Sequence, residues 1–379
     1  MLGVLSSVLM GLSCVAYVRY IPDPEKDVEI WVENLSRQRS FKYRYELKTP
    51  AVYTTAHGVS VIERGEHVQG SWFSPDSEVP FEYYGVGDIE YSREQDRWQS
   101  MSRGDESDIL AQVTRLLEFR TFEYLGLDDT YNYTFKANIP FLVPGRWKEM
   151  IGAMKVSTRN YLPAVIWAGL PDSTVYWRIE LFDYNRSRKI DPPVRTWHTY
   201  RINLGHDYLK TLKKRMELAD IAHRIDRSGQ NILLSMQHYY TIDDIQDILR
   251  ARPVRVYGMT QDKQNAKRVA YLHGDETKPL YLTEVVCSEH DFKHADIKFD
   301  GASRPYLQLK LRDKYMFTSM IAFEVDSVIA GTAVLDTLKK IDTITMHSDM
   351  SFYELQLLKA YILQPLPEVE LKPEGEGVE

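Results

Sequence analysis

The sequence predicts an α+β protein whose two halves follow different patterns. Residues 41–182 carry one strand signal after another, such as FKYRYEL at 41–47 and TVYWRIELF at 174–182, in which apolar and polar residues alternate. Residues 206–259 instead alternate helix and strand, and Asp191-Pro192-Pro193 separates the two regimes. A chain of 379 residues can bury two cores, at a prior of about 150 residues per domain.

Taken in order, residues 1–18 contain no charged side chain and are followed by Arg19 and a Pro22-Asp23-Pro24 break. A membrane span needs about 20 apolar residues, so residues 1–21 read as an N-terminal anchor or signal segment. Cys14, after Gly11-Leu12-Ser13, offers lipidation as an alternative, although a lipoprotein site would have Leu where Gly11 stands. Val28, Trp31, Val32 and Leu35 then share one helical stripe. Strand signals follow as far as Met101, and a helix at 106–119 with Ile109, Val113, Leu116 and Leu117 on one side interrupts them. Further strands lie at 130–139, 155–157, 164–168 and 174–182, and residues 191–203 read as a linker.

The second half opens with an amphipathic helix expected over 206–227, with Leu209, Leu212, Met216 and Ala219 on its apolar side. After a turn at Gly229 comes the strand NILLSM (231–236). Thr241 then caps a helix over 242–249 that has Asp243 and Asp244 in its first turn. Pro253 ends that helix, and PVRVYGM (253–259) alternates as a strand of the same layer.

This order of LKKR helix, NILL strand, DDIQDIL helix and alternating strand resembles the base of the first periplasmic domain of the protein-export subunit SecD. The likeness continues through DFKHADIKFD (291–300), RPYLQLKL (304–311), Phe317, IAFEVD (321–326), Ile329, Ile344 and residues 352–358, and closes at Leu366-Pro367. Asp326-Ser327 stands where SecD has Asp-Gly, and Gln364-Pro365 where a Gly-Ala pair is expected. The resemblance implies a ferredoxin-like base over residues 204–368 with an inserted α+β head at 281–345. It also implies a helix at 352–363 returning beside 208–219, and an extracytoplasmic position. Residues 369–379, an acidic Pro/Gly stretch, are expected to be disordered.

Residues 25–190, with an opening helix, an antiparallel run, an inserted helix and more strands, resemble the half-barrel of the LolA and LppX lipoprotein-carrier type. The features that carry this likeness are GSWF at 70–73, the strand at 133–139 leading to Pro144, and the return strand at 174–182. The resemblance implies an apolar cavity for a lipid or an acylated protein. Aromatic residues are plentiful in this half, among them Trp72, Phe73, Phe81, Tyr83, Tyr84, Trp98, Phe135, Phe141, Trp147, Trp167, Tyr176 and Trp177. They serve either as core or as the lining of such a cavity.

A net charge of −7 without a long basic run argues against nucleic acid as a partner. Cys14 and Cys287 are the two cysteines, so no disulfide staples the folded part. Cys287, Glu289, His290, Asp291, His294 and Asp296 crowd together, and His290 and His294 would share a helix face. No third-ligand motif accompanies them, so neither metal nor cofactor is expected. Nor is there a G-x-S-x-G, a phosphate-cradling glycine loop or a paired-carboxylate motif, and an enzyme is not expected.

Two function classes remain. One is a membrane-anchored extracytoplasmic binding protein that assists protein export, with an exported polypeptide or the translocation machinery as partner. The other is a lipid or lipoprotein carrier. For the first, the tight turn between two apolar strands nominates Ile321, Phe323, Val325, Ser327, Ile329 and Gly331 as peptide-binding residues, an extended peptide adding to the hairpin edge.

Overall fold

The computed structural model describes residues 23–378 except 95–96, 105–107, 112, 114–120, 137–149, 188, 273–274, 318 and 336–339. The expected anchor with Cys14 lies outside the described residues, as do most of the expected helix at 106–119, Phe141 and Trp147. Among the described residues, no helix is long and apolar enough to cross a membrane.

Helix α1 (Pro24–Ser36) starts with proline in its first turn, where the missing N–H costs nothing. Six strands follow: β1 (Ser40–Lys48), β2 (Tyr53–Val61), β3 (Gly65–Ser74), β4 (Ser77–Val86), β5 (Ile89–Glu94) and β6 (Arg97–Ser102). Five more, β7 (Glu123–Leu127), β8 (Thr130–Lys136), β9 (Ile151–Ser157), β10 (Pro163–Gly169) and β11 (Tyr176–Phe182), complete a curved 11-stranded sheet that resembles a half-barrel. Its order, β6-β5-β4-β3-β2-β1-β11-β10-β9-β8-β7, is two antiparallel meanders joined where the first strand meets the last.

Alternation assigns the faces. On β1, Tyr43, Tyr45 and Leu47 point inward while Lys42, Arg44 and Glu46 point outward. The stripe of α1 lies against the inner face, where Val28, Trp31 and Leu35 pack with Phe41, Tyr133, Met154 and Ile179. The ring of Trp31 meets Tyr133 edge-on at 4.6 Å. Each such buried side chain contributes about 1.5–3 kcal/mol through area removed from water. The buried sheet residues of this cluster come mainly from β1 and β8–β11, so α1 covers that half, and among the described residues the inner face of β2–β5 is left largely bare.

The second half holds a four-stranded antiparallel sheet in the order β13-β14-β12-β23. Its strands are β12 (Thr196–Ile202), β13 (His223–Ser228), β14 (Asn231–Gln237) and β23 (Leu371–Val378), with α2 (Leu209–Leu218) and α3 (Ile242–Leu249) in the connections. Strands β12 and β13 flank β14, which is the split βαβ arrangement of a ferredoxin-like base.

Three sequence expectations are corrected here. The helix expected over 206–227 ends at Leu218, because Asp220 takes a left-handed conformation (φ 56°) and the chain turns into β13. The expected linker 191–203 supplies β12. The tail expected to be disordered supplies β23, paired to β12 from Thr196↔Val378 to Ile202↔Leu371 and tied by an Arg201–Glu374 ion pair. A ferredoxin-like sheet needs a first and a fourth strand, and these two segments are the ones available to provide them.

The strand PVRVYGM, expected in the base, goes elsewhere. As β15 (Val254–Thr260) it enters a closed barrel, β15-β17-β16-β21-β20, with β16 (Arg268–Leu272), β17 (Asp275–Ser288), β20 (Met320–Val325) and β21 (Val328–Val334). The inserted part therefore starts ahead of residue 281. Strands β18 (Phe292–Phe299), β19 (Pro305–Tyr315) and β22 (Ile341–Met346) form a separate three-stranded sheet.

Helix α4 (Phe352–Leu363) is capped by a reciprocal Ser351–Glu354 box. The expectation that it packs beside α2 is met in part, since Ala360 joins Leu212 and Met216 of α2. The head also offers it an apolar surface: Leu355, Leu358 and Ile362 pack with Leu307, Leu309 and Ile344. Arg64, in the β2–β3 turn, ties the half-barrel to the base. It reaches Asp220 O and Tyr240 Oη at 3.1 Å and lies 4.0 Å over the Tyr353 ring.

Candidate functional site

The inner face of β1–β5 lines an open cavity of about 750 Å³. Register places its walls: Tyr43, Tyr45 and Leu47 lie opposite Gly58, Ala56 and Thr54 of β2. Val68, Gly70 and Trp72 of β3 lie opposite Tyr83, Phe81 and Val79 of β4. The room exists because aromatic residues stand across from small ones. A Cβ at Gly58 would sit 2.4 Å from Tyr43 Cζ, and one at Gly70 2.7 Å from Phe81 Cζ, so each ring lies flat over a bare backbone. Trp72 stacks on Phe81 at 4.7 Å. Trp72 and Val79 are both 48% exposed and form the mouth, an apolar wall left in water by the strand pattern itself. A separate, larger groove of about 1230 Å³ runs along the outward residues Arg44, Glu46, His57 and Gln69 on the other face of these strands.

The inner end is polar. Glu66, on the same face as Val68 and Trp72, is 2% exposed. Tyr43 Oη donates to its Oε1, Ile109 N donates to Oε2 at 3.4 Å, and Arg103 Nη2 lies 3.9 Å away. Burial, aided by the charge of Asp108, pushes its carboxyl up to about 8, against the opposing pull of Tyr43, Arg103 and Ile109. Glu82 goes the other way. Burial acts to raise it, but hydrogen bonds with Gln69 (2.8 Å), His67 (3.0 Å) and Tyr84 (3.2 Å) outweigh that and hold it below the usual glutamate range. The carboxyl at the inner end is thus biased toward its neutral form, and that of Glu82, which register places on the other face with His67, Gln69 and Tyr84, toward its charged form.

Of the aromatic residues singled out from sequence, Trp72, Phe81 and Tyr83 line the cavity, whereas Phe135 and Trp177 are core. Glu66 is not among the residues that sequence reasoning singles out. Its signal lies in GEHVQGSWF, where alternation puts a carboxylate on the face shared by Val68 and Trp72.

The six candidate peptide-binding residues do come together, as the β20–β21 hairpin. Asp326 (φ 52°) and Ser327 (φ 69°) form the mirror-image tight turn that suits a right-handed twist. The edge expected for a peptide, however, is occupied. Strand β20 pairs with β15 on its other side, Ile329 meets Leu272 of β16, and Thr332 bridges His347. Ile321, Phe323, Val325 and Ile329 are buried, leaving Ser327 exposed at the turn. A Cβ on Gly331 would stand 2.6 Å from His347 O, so its smallness admits a neighbouring strand of the same chain.

The cluster around Cys287 is also rearranged. His290 sits in a single turn at Glu289–Asp291 and His294 lies on β18 bonded to Asp296, so the two do not share a helix face. The Cys287 thiol is buried and burial pushes it up to about 12.

No protein-family model and no curated protein sequence matches the chain. Among solved structures, it is similar to LprF from Mycobacterium bovis at 10% identity and a TM-score of 0.36, over 46% of this chain and 98% of that one. It is similar to SecDF in a super-membrane-facing form at 14% identity and a TM-score of 0.35, over 50% of this chain and 32% of that one. Similarity to MucB in complex with MucA runs at 10% identity and a TM-score of 0.27, over 93% of this chain and 100% of that one. These are likenesses of fold.

Proposed function

We infer that the protein is an extracytoplasmic binding protein that carries the apolar chain of a lipid or of an acylated protein in the half-barrel cavity, by binding and not by catalysis. The observation that supports this is the 750 Å³ apolar cavity with Trp72 and Val79 at its mouth. Its volume falls within the roughly 300–1,000 Å³ of small-molecule sites. Each methylene that leaves water there contributes about 0.8 kcal/mol, enough for a chain of several carbons to overcome the cost of immobilisation. The N-terminal segment would hold the carrier at a membrane. An acylated exported polypeptide would be its cargo by the chain it carries, since the hairpin edge of the head is closed to strand addition.

Native mass spectrometry of the full chain purified from cells tests this reading. Co-purifying lipid that is lost in a folded Trp72→Asp variant is the expected result. An empty wild-type protein that also fails to bind any alkyl probe would refute it.

A further inference from the structure

The two ends of the cavity wall differ. At one end its turns sit on the base, where Arg64 reaches Asp220 O and Tyr240 Oη and a Cβ at Gly87 would stand 2.4 Å from Tyr239 O. At the other end lie the β1–β2 and β3–β4 turns, and Val52, Trp72 and Val79 are exposed there. The outer face changes character on the way to these turns. Its residues run from His57 and Thr55 to Tyr53 on β2, and from Gln69 and Ser71 to Phe73 on β3. Tyr53 and Phe73 pair at 5.9 Å on the outer side of the tip, while Trp72 and Phe81 stack on the inner side. A cavity wall needs apolar residues on its inner side only, so rings on both sides of the tip answer to something apolar outside it.

Resting on the carrier reading above, we propose that this tip is a docking surface for a neutral lipid bilayer, with the mouth of the cavity set against the membrane. The course of α1 supports that occupant. Its C-terminal end meets the second half of the chain, through Arg37 and Asp349 at 3.2 Å and Gln38 Nε2 donating to Ser303 O at 2.8 Å. From there it runs back to Asp27, whose carboxylate accepts from Tyr133 Oη at 3.3 Å. Strand register puts Tyr133 level with Tyr45 and, through β2 and β3, with Phe81, on the tip side of Glu66. Residues 1–18, which carry no charged side chain, therefore join the half-barrel from the side away from the base. From Trp72 to the turn at Pro75 is about 10 Å of strand, against the roughly 5–10 Å that interfacial segments sink into a bilayer. Lys48 stands near the tip with Asp76 and Glu78, so charge gives anionic lipid no advantage and apolar contact carries the docking.

The test mixes the full chain with phosphatidylcholine vesicles whose acyl chains carry bromine and reads tryptophan quenching against unbrominated vesicles. None of the seven tryptophans lies in residues 1–22, so insertion of that segment alone would quench none of them. Quenching is expected in the wild type, lost in Trp72→Phe, and regained in Trp72→Phe/Phe73→Trp, which moves the indole to the outer face. It should be the same at about 0.05 M and about 0.5 M salt and should not grow with anionic lipid. No quenching in the wild type, quenching that Trp72→Phe leaves intact, or quenching that salt removes would overturn the docking. Quenching in the wild type that is not regained in the double variant would mean that lipid reaches Trp72 inside the cavity, which overturns the docking and leaves the carrier reading standing. Should the double variant not fold, slower amide exchange of residues 49–52 on vesicles in the wild type decides the same point. The carrier reading itself is judged separately, by co-purifying lipid.

Discussion

Replacing Glu66 by glutamine should change how the stability of the protein depends on pH. In the unfolded chain the carboxyl ionises near the ordinary glutamate value, while in the folded chain burial pushes it up to about 8. Between those two values the unfolded state has lost the proton and the folded state has kept it. By linkage, stability falls as pH rises through that window and levels off above it. One pH unit corresponds to about 1.36 kcal/mol, so the full loss is on the order of 4–5 kcal/mol. The amide of the Glu66→Gln variant does not ionise and would not contribute that slope.

At pH near 5 the variant should be the less stable of the two, because an amide N–H facing Ile109 N sets donor against donor, at about 1–3 kcal/mol. As pH rises toward 8 the difference should shrink and then reverse. Urea unfolding of both proteins across this range, compared pair by pair, removes the contribution of every other titrating group. A wild-type-minus-variant difference that does not change with pH would refute the account of Glu66 as a buried, proton-retaining carboxyl.

Four further outcomes are expected. Gly58→Ala should push Tyr43 off the backbone it lies against and away from Glu66, lowering stability by about 1–3 kcal/mol by calorimetry and weakening alkyl-probe binding. Leu355→Asp would leave an unpaired charge where the head core meets α4, at a cost of several kcal/mol, and normal melting would contradict the packing of α4. Ile329→Pro should disrupt the closed barrel and raise its hydrogen exchange throughout, and a fully protected barrel would mean that the β16–β21 seam is open. Limited proteolysis should cut near residues 189–195, yet the two pieces should elute together because Arg64 and the Tyr91–His238 hydrogen bond (2.6 Å) span them; fragments that separate freely would show that these ties are weak.

Where a segment's own pattern decides its structure, the sequence is legible. The inward and outward residues of β1, the cap of α3 at Thr241 and the turn at Asp326-Ser327 all follow from local rules. Where a partner decides, it is not. TWHTYRI and the acidic tail look like linker and coil alone, and become strands because the base sheet has an edge to fill on each side of β12. The stretch 219–227 suits a helical period nearly as well as an alternating one, and the left-handed Asp220 settles it. The hairpin is legible as a hairpin but not as a closed edge, since no local signal reveals that β15 and β16 lie beside it.

The difference between barrel and half-barrel explains why the open cavity lies in the first half. Five strands closed on themselves leave an interior that Leu282, Ala322 and Ile329 fill without help. Eleven strands side by side, at about 4.8 Å each, span roughly 48 Å of inner face. The 13-residue helix α1 is about 20 Å long and about 10 Å wide, too small to cover that face. Ile109 and Val113 close a little more of it, beside Glu66. Among the described residues, what is left uncovered is the strip from Tyr45 to Phe81, and there the residues across from the aromatic rings are Ala56 and Gly70 instead of large aliphatics. A sheet that only needed a core would fill those positions. Small residues opposite rings keep the strip open.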